Sequence, residues 1–373
     1  MSGLKFPHIN VSADDRRFME ATIRFARRHK GLTGTNPSVG TLIVKDGVIV
    51  GRGVTAIGGR PHAEPQALAD AGEAARGATA YVTLEPCAHH GRTPPCAEAL
   101  VQAGVARVFV AATDPDERVS GKGFAILRDA GIEVVPGVLS EKAADDLAGY
   151  LNRSSKKRPE VILKLALSAD GFIGKKGEGQ VTITGPIARA QSHILRAQTD
   201  VILIGVKTAI ADDPILNCRL PGLEQRSPVR LVLDSGLKLP LDSKLIRSSD
   251  TIPLWLACCE HVAPERRYEM QAAGCRIIAA ESDEGRIALP ELMDDLAAQG
   301  ISSVLVEGGA SVASSFLKEN LVDRVVLFRS PVEIGFAAGV AVTDLQSHIA
   351  NEFAIMREAR YGDDAYAEYV RKT

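Results

Sequence analysis

Four times along this chain a helical segment closes on a glycine and a β-rich run follows. Gly104 precedes 107–111, Gly131 precedes 132–135, Gly274 precedes 276–279 and Gly300 precedes 303–306. Glycine just past a helix end takes the left-handed backbone that terminates it. The branched aliphatic runs behind it suit strands buried on both faces. No fixed period links the four cases, so this is α/β alternation and not a sequence repeat. At 373 residues the chain exceeds a typical single core, which implies two domains. The polar, basic stretch 149–159 ends in proline and reads as the linker, giving domains 12–148 and 160–373.

In the first domain a helix is expected after Ser12, whose side chain can cap it, with Phe18, Ile23 and Ala26 as its apolar stripe. Strands follow at 41–44, 48–50 and 80–84. His62 opens a helix reaching Ala71, and Cys96 opens one reaching Gln102. The second domain reads as strands at 161–165, 201–204, 229–234, 253–257, 303–306 and 324–328, with helices at 186–197, 290–298 and 310–320.

These elements bring His62-Ala63-Glu64, Pro86-Cys87 and Cys96 to helix starts and a strand end. One imidazole and two thiolates fill three corners of a zinc tetrahedron and leave the fourth for water. His-x-Glu with Pro-Cys is the signature of zinc nucleobase deaminases, although eight residues rather than two separate the cysteines here. On this reading zinc makes its water a hydroxide at working pH. Glu64 moves protons from that water to the ring nitrogen and the departing ammonia. Asn36, in a loop before Pro37, is a candidate reader of the heterocycle edge. A structural zinc site is the rival reading, and His89 or His90 could supply its fourth ligand.

The net charge of −2 gives no basic field for nucleic acid and favours a small-molecule substrate. The first fifteen residues lack the apolar core of a secretory signal, and no apolar run is long enough to cross a bilayer. Six cysteines in a chain of this size do not make a disulfide framework. A cytoplasmic enzyme without a membrane partner is therefore expected. Cys218, Cys258, Cys259 and Cys275 fit no ligand spacing and read as small buried groups.

Several motifs now carry a resemblance. Thr35-Asn36-Pro37-Ser38-Val39-Gly40, His62-Ala63-Glu64, and Pro86-Cys87-Ala88-His89-His90-Gly91-Arg92-Thr93-Pro94-Pro95-Cys96 resemble the deaminase half of the bifunctional riboflavin-biosynthesis deaminase–reductases. Asp114-Pro115 with Val119-Ser120-Gly121-Lys122-Gly123 is similar to the next stretch of that half. Lys164-Leu165-Ala166-Leu167-Ser168-Ala169-Asp170-Gly171, residues 205–208, Ala211-Asp212-Asp213-Pro214 and Val306-Glu307-Gly308-Gly309 resemble the reductase half.

The resemblance implies a cytidine-deaminase-like three-layer αβα domain followed by a dihydrofolate-reductase-like α/β domain, in a homo-oligomer. It implies zinc-dependent deamination of a diaminopyrimidinone ribosyl-phosphate, then NADPH-dependent reduction of the ribosyl to a ribityl chain. His62, Cys87 and Cys96 would hold zinc, with Glu64 catalytic and Asn36 and His89 on the substrate. Leu167, Thr182, Thr208, Asp212, Ser235, Gly308 and Gly309 would touch NADPH. Arg196, Leu216, Arg219 and Glu307 would hold the ribosyl-phosphate, arginine forks being suited to phosphate oxygens.

No G-x-G-x-x-G follows a strand, so the nicotinamide cofactor rests on the resemblance. Asp170 reads equally as a turn residue or a ligand. The stretch 330–339 has fewer glycines than the resemblance leads one to expect, which keeps open an active deaminase joined to an inactive reductase. The other alternative is a non-catalytic protein with structural zinc.

Overall fold

The computed structural model describes residues 11–91, 94–283 and 285–372. Arg92 and Thr93 of the inter-cysteine motif, and the first ten residues, lie outside them. The chain forms two compact units, Met1–Lys156 and Lys157–Thr373.

In the first unit, Ser12 caps the helix Ala13–Ala26. Its Oγ accepts from Asp15 N at 3.1 Å, and its own N donates to Asp15 Oδ2 at 3.0 Å. Asp15 also accepts from Tyr81 Oη at 2.6 Å, which ties the cap to the sheet. That sheet contains β1 (Gly40–Lys45), β2 (Val48–Val54), β3 (Thr79–Leu84), β4 (Arg107–Ala112) and β5 (Glu133–Pro136), in the order β2-β1-β3-β4-β5. The β2-β1-β3 pairs are antiparallel and the β3-β4-β5 pairs parallel. Every residue of β3 is buried, so both faces of the sheet are covered.

One glycine pair sets the position of the helix Ala63–Ala71. A Cβ on Gly51 would lie 2.2 Å from Ala67 O, and one on Gly53 2.0 Å from Ala63 O. The helix therefore rests on β2 backbone to backbone, with His62 at its N-cap.

The second unit contains β6 (Glu160–Leu167), β7 (Gly174–Lys175), β8 (Val201–Gly205), β9 (Val229–Leu233), β10 (Leu254–Cys259) and β11 (Arg276–Ala280). It continues with β12 (Ser282–Asp283), β13 (Arg286–Ile287), β14 (Ser303–Val306), β15 (Arg324–Arg329), β16 (Gly339–Val340), β17 (Phe353–Tyr361) and β18 (Asp364–Arg371). Nine of these make one sheet, ordered β11-β10-β9-β8-β14-β6-β15-β18-β17. The first seven run parallel, and the C-terminal hairpin adds two antiparallel strands. Alternation separates the two faces of β6. Val161, Leu163, Leu165 and Leu167 join one core with Phe316 and Leu317, whereas Ile162 joins another with Ala188 and Phe328.

The α/β class holds in both units. The four terminating glycines have φ of 69°, 81°, 88° and 90°. One correction concerns the expected linker: residues Ala148–Lys156 are helical, with Tyr150 and Leu151 packed on the first unit's core, and the helix stops where Lys157 takes a φ of 59°. The expected strand at 229–234 stops at Leu233. Asp234 instead accepts from Lys238 N and Leu239 N at 2.7 and 2.8 Å, closing a turn.

Candidate active sites

The first site is assembled where β3 ends. His62 occupies the N-cap, Cys96 is the first residue of the helix Cys96–Gln102, and Cys87 lies in the irregular chain after β3. His62 Nδ1 lies 3.3 Å from Cys96 Sγ and 3.7 Å from Cys87 Sγ. Zinc–ligand bonds of 2.0–2.3 Å in a tetrahedron put nitrogen and sulfur about 3.6 Å apart, so the donor set fits that ion. Among the described residues, these three side chains form the metal-capable cluster.

Neither neighbouring histidine joins it. His90 Nε2 faces Glu98 Oε1 at 3.1 Å, and the buried His89 Nδ1 has no hydrogen-bond partner among the described residues. The fourth protein ligand that the structural-zinc reading requires is therefore not supplied among the described residues, and that reading is not favoured.

Electrostatics set the protons. The hydrogen bond from Cys96 brings the Cys87 thiol down to about 4, against its burial. The same bond, with burial, pushes Cys96 up. Glu64 is only 4% exposed. Burial raises its carboxyl to about 7, and the charge on Cys87 adds to the rise. A carboxyl poised near neutrality can both take and return a proton.

Asn36 donates from Nδ2 to Gly59 O at 3.1 Å, which fixes its side chain in the loop before β1. Two buried acids received no role from the sequence. Glu85 follows β3 and Asp114 follows β4, and Tyr150 Oη donates to both Asp114 oxygens at 3.0 and 3.1 Å. Asp114-Pro115 is visible as a motif in the sequence, whereas Tyr150 falls in the polar stretch 149–159, which reads as a linker.

The second site is a cleft of about 210 Å³. It opens at the C-terminal ends of β8 and β14, where open α/β sheets take their ligands. Arg196, Leu216, Arg219, Glu307, Thr208 and Asp212 all line it. Arg196 grips Glu307 through two bonds, Nε to Oε1 at 2.8 Å and Nη2 to Oε2 at 2.9 Å. Lys164 Nζ approaches Glu307 Oε2 at 3.8 Å. Burial alone would raise the Glu307 carboxyl, but Arg196 and Lys164 hold it down at about 2. Lys164 belongs to the Lys164–Gly171 motif, yet a lone lysine in a strand carries no signal of where it points.

Leu167, Thr182, Ser235, Gly308 and Gly309 are outside that lining. Gly309 N nevertheless donates to Thr208 Oγ1 at 3.1 Å, and a Cβ on Gly308 would lie 2.9 Å from Val312. Leu167 is buried at the end of β6, and Thr182 is exposed. Asp170 is a turn anchor: its carboxylate accepts from Ser168 Oγ at 2.6 Å, Ile334 N at 3.2 Å and Gly335 N at 2.7 Å. It therefore holds the atypical 330–339 stretch in place. The four remaining cysteines are free and buried.

Residues 12–112 match the cytidine and deoxycytidylate deaminase zinc-binding region, and residues 159–364 match the RibD C-terminal domain. The riboflavin biosynthesis protein RibD of Aquifex aeolicus is 38% identical over 331 residues, covering 89% of this chain and 90% of that protein. The chain belongs to the RibD family. The Escherichia coli RibD protein is likewise 38% identical, over 86% of this chain and 89% of its own length. The solved structure of Acinetobacter baumannii RibD superposes with a TM-score of 0.85 at 36% identity, covering 96% and 99% of the two chains. That of a Thermotoga maritima deaminase/reductase gives 0.81 at 31%, covering 96% and 98%. The chain is thus a bifunctional deaminase–reductase of riboflavin biosynthesis, with a zinc-dependent and an NADPH-dependent half. Among the described residues no helix is long and apolar enough to cross a membrane.

Proposed function

We propose that the two units act in succession on one ribosylaminopyrimidine phosphate. The first exchanges an amino group of the diaminopyrimidinone ring for oxygen; the second reduces the ribosyl group to a ribityl chain. The observation carrying this reading is the convergence of His62, Cys87 and Cys96 beside the buried Glu64.

His62, Cys87 and Cys96 would hold zinc, which would supply the Lewis acidity that makes water a nucleophile at neutral pH. Glu64 takes the water's proton, delivers it to the ring nitrogen and assists the departing ammonia. Asn36 and His89 orient the ring, with Asn36 held by Gly59 and His89 lying between the two cysteine ligands in sequence. In the second unit NADPH supplies hydride, and the protein's task is positioning. Leu167, Thr182, Thr208, Asp212, Ser235 and the Gly308-Gly309 turn receive the cofactor. Leu216, Arg219, Arg196 and Glu307 hold the ribosyl-phosphate. Glu307, ionised between two cations, accepts from sugar hydroxyls, and exposed Arg219 meets phosphate.

The domain limits 12–148 and 160–373 are proposed on the split of the chain into compact units between Lys156 and Lys157, with the helix Ala148–Lys156 belonging to the first unit. A homo-oligomer is supported by the edge strand β17, where Ile355 and Met356 are exposed with Val370 of β18. Six free cysteines support a reducing, cytoplasmic setting. The test is incubation with the ribosylaminopyrimidine phosphate, followed by mass spectrometry. A gain of about one mass unit without NADPH, and about two more with it, is expected from the atoms exchanged. An unchanged substrate mass sinks the reading.

A further inference from the structure

One side of the second unit's cleft is a strap, residues 213–216. Asp213 and Leu216 both take left-handed backbone, with φ of 37° and 54°. Leucine gains nothing from that conformation and leaves it unless its surroundings hold it there. Asp213, Pro214, Ile215 and Leu216 all line the cleft beside Arg196 and Glu307.

The hold comes from beneath. Arg230, on β9, is 0% exposed. Its Nη1 donates to Ile215 O at 3.2 Å and to Ser248 Oγ at 2.7 Å. Its Nη2 donates to Leu245 O and Ser248 O, each at 3.1 Å, and to Ile252 O. These acceptors are carbonyls and a hydroxyl rather than a carboxylate. Burying a guanidinium on such terms is costly, and an apolar side chain would serve if filling space were the only need.

The acceptors show what the fork joins. Ile215 O belongs to the strap, immediately before Leu216. Leu245 and Ser248 belong to the helix Lys244–Arg247 and its C-cap. That helix begins with Lys244, which also lines the cleft and donates its backbone N–H to Asp213 Oδ1 at 2.8 Å. The strap is thus tied twice to one support, at Asp213 and at Ile215.

We propose that Arg230 is a positioning residue of the reductase half, fixing the strap 213–216 so that Leu216 and Arg219 meet the substrate in a preset geometry. This rests on reading the cleft as the ribosyl-phosphate site. Arg230→Lys keeps the charge but loses the planar fork. Ser248→Ala removes one acceptor and tests the same tie if the arginine variant folds poorly. Arg219→Ala tests the cleft reading itself.

The experiment measures reduction of the deaminated substrate by the full-length protein. NADPH binding by fluorescence and thermal unfolding at Trp255, the chain's single tryptophan, are followed in parallel. In Arg230→Lys, KM for the deaminated substrate should rise about tenfold, with kcat changed less than about threefold. NADPH affinity should match the wild type, and Ser248→Ala should shift KM in the same direction by less. If only Arg219→Ala raises KM, the positioning role is wrong and the cleft reading stands. Wild-type KM in all three variants refutes both. Parallel losses of kcat, NADPH binding and melting temperature in Arg230→Lys, with Ser248→Ala silent, make Arg230 a plain structural support and overturn the proposal.

Discussion

Glu64 and Glu307 are buried carboxyls with opposite fates. The side chains around Glu64 do not offset its burial, which with the charge on Cys87 raises its carboxyl to about 7. Glu307 lies between Arg196 and Lys164 and stays ionised. Glu64→Gln should retain zinc by metal analysis and lose ammonia release by about 100-fold or more, the usual scale for a missing proton shuttle. For Glu307 the sign follows from a carboxyl lowered on folding. Its stabilisation is complete above the ordinary value of 4.5 and is lost as pH falls from there toward about 2. Glu307→Gln should flatten that acid limb in urea titrations followed at Trp255. It should also destabilise the unit at neutral pH by about 3–5 kcal/mol, because Arg196 and Lys164 lose their counter-charge.

The deaminase site depends on where one helix sits. Gly51 and Gly53 let Ala63–Ala71 rest on β2 with no side chain between them. Gly53→Ala should lift the helix start and displace His62 and Glu64 together. The expected outcome is a fall in zinc affinity of about tenfold or more, read by competition with a chromophoric chelator, while NADPH oxidation by the second unit persists. This element-level contact left only a weak trace in the sequence, two glycines in a strand, which also suit a bulge. The capped helix after Ser12 was legible because Ser12 and Asp15 satisfy each other locally. The helix Ala148–Lys156 was not, since its polar, basic composition running up to a proline is also that of a linker.

Across the whole molecule, two α/β units place their sites at the same kind of location. Cys87 follows β3, and Glu307 follows β14, at the C-terminal ends of parallel strands. The units require different cofactors, so a chelator should separate their activities. Treatment with a strong zinc chelator should abolish ammonia release and leave NADPH oxidation on deaminated substrate unchanged. Loss of both activities, with the metal removed and the chain still folded, would contradict the division of labour.

What the sequence determined by itself was local chemistry. Ligand types, their order, the glycine stops and the family motifs all rest on neighbours a few residues apart. The tertiary structure decided which of those residues share a site. It excluded His89 and His90 from the metal cluster, turned Asp170 into a loop anchor, and added Lys164 to Arg196 and Glu307. It also set Arg230 beneath the strap, with partners from Ile215 to Ile252. The physical reason is that burial and charge pairing depend on distances in space, which chain spacing does not encode.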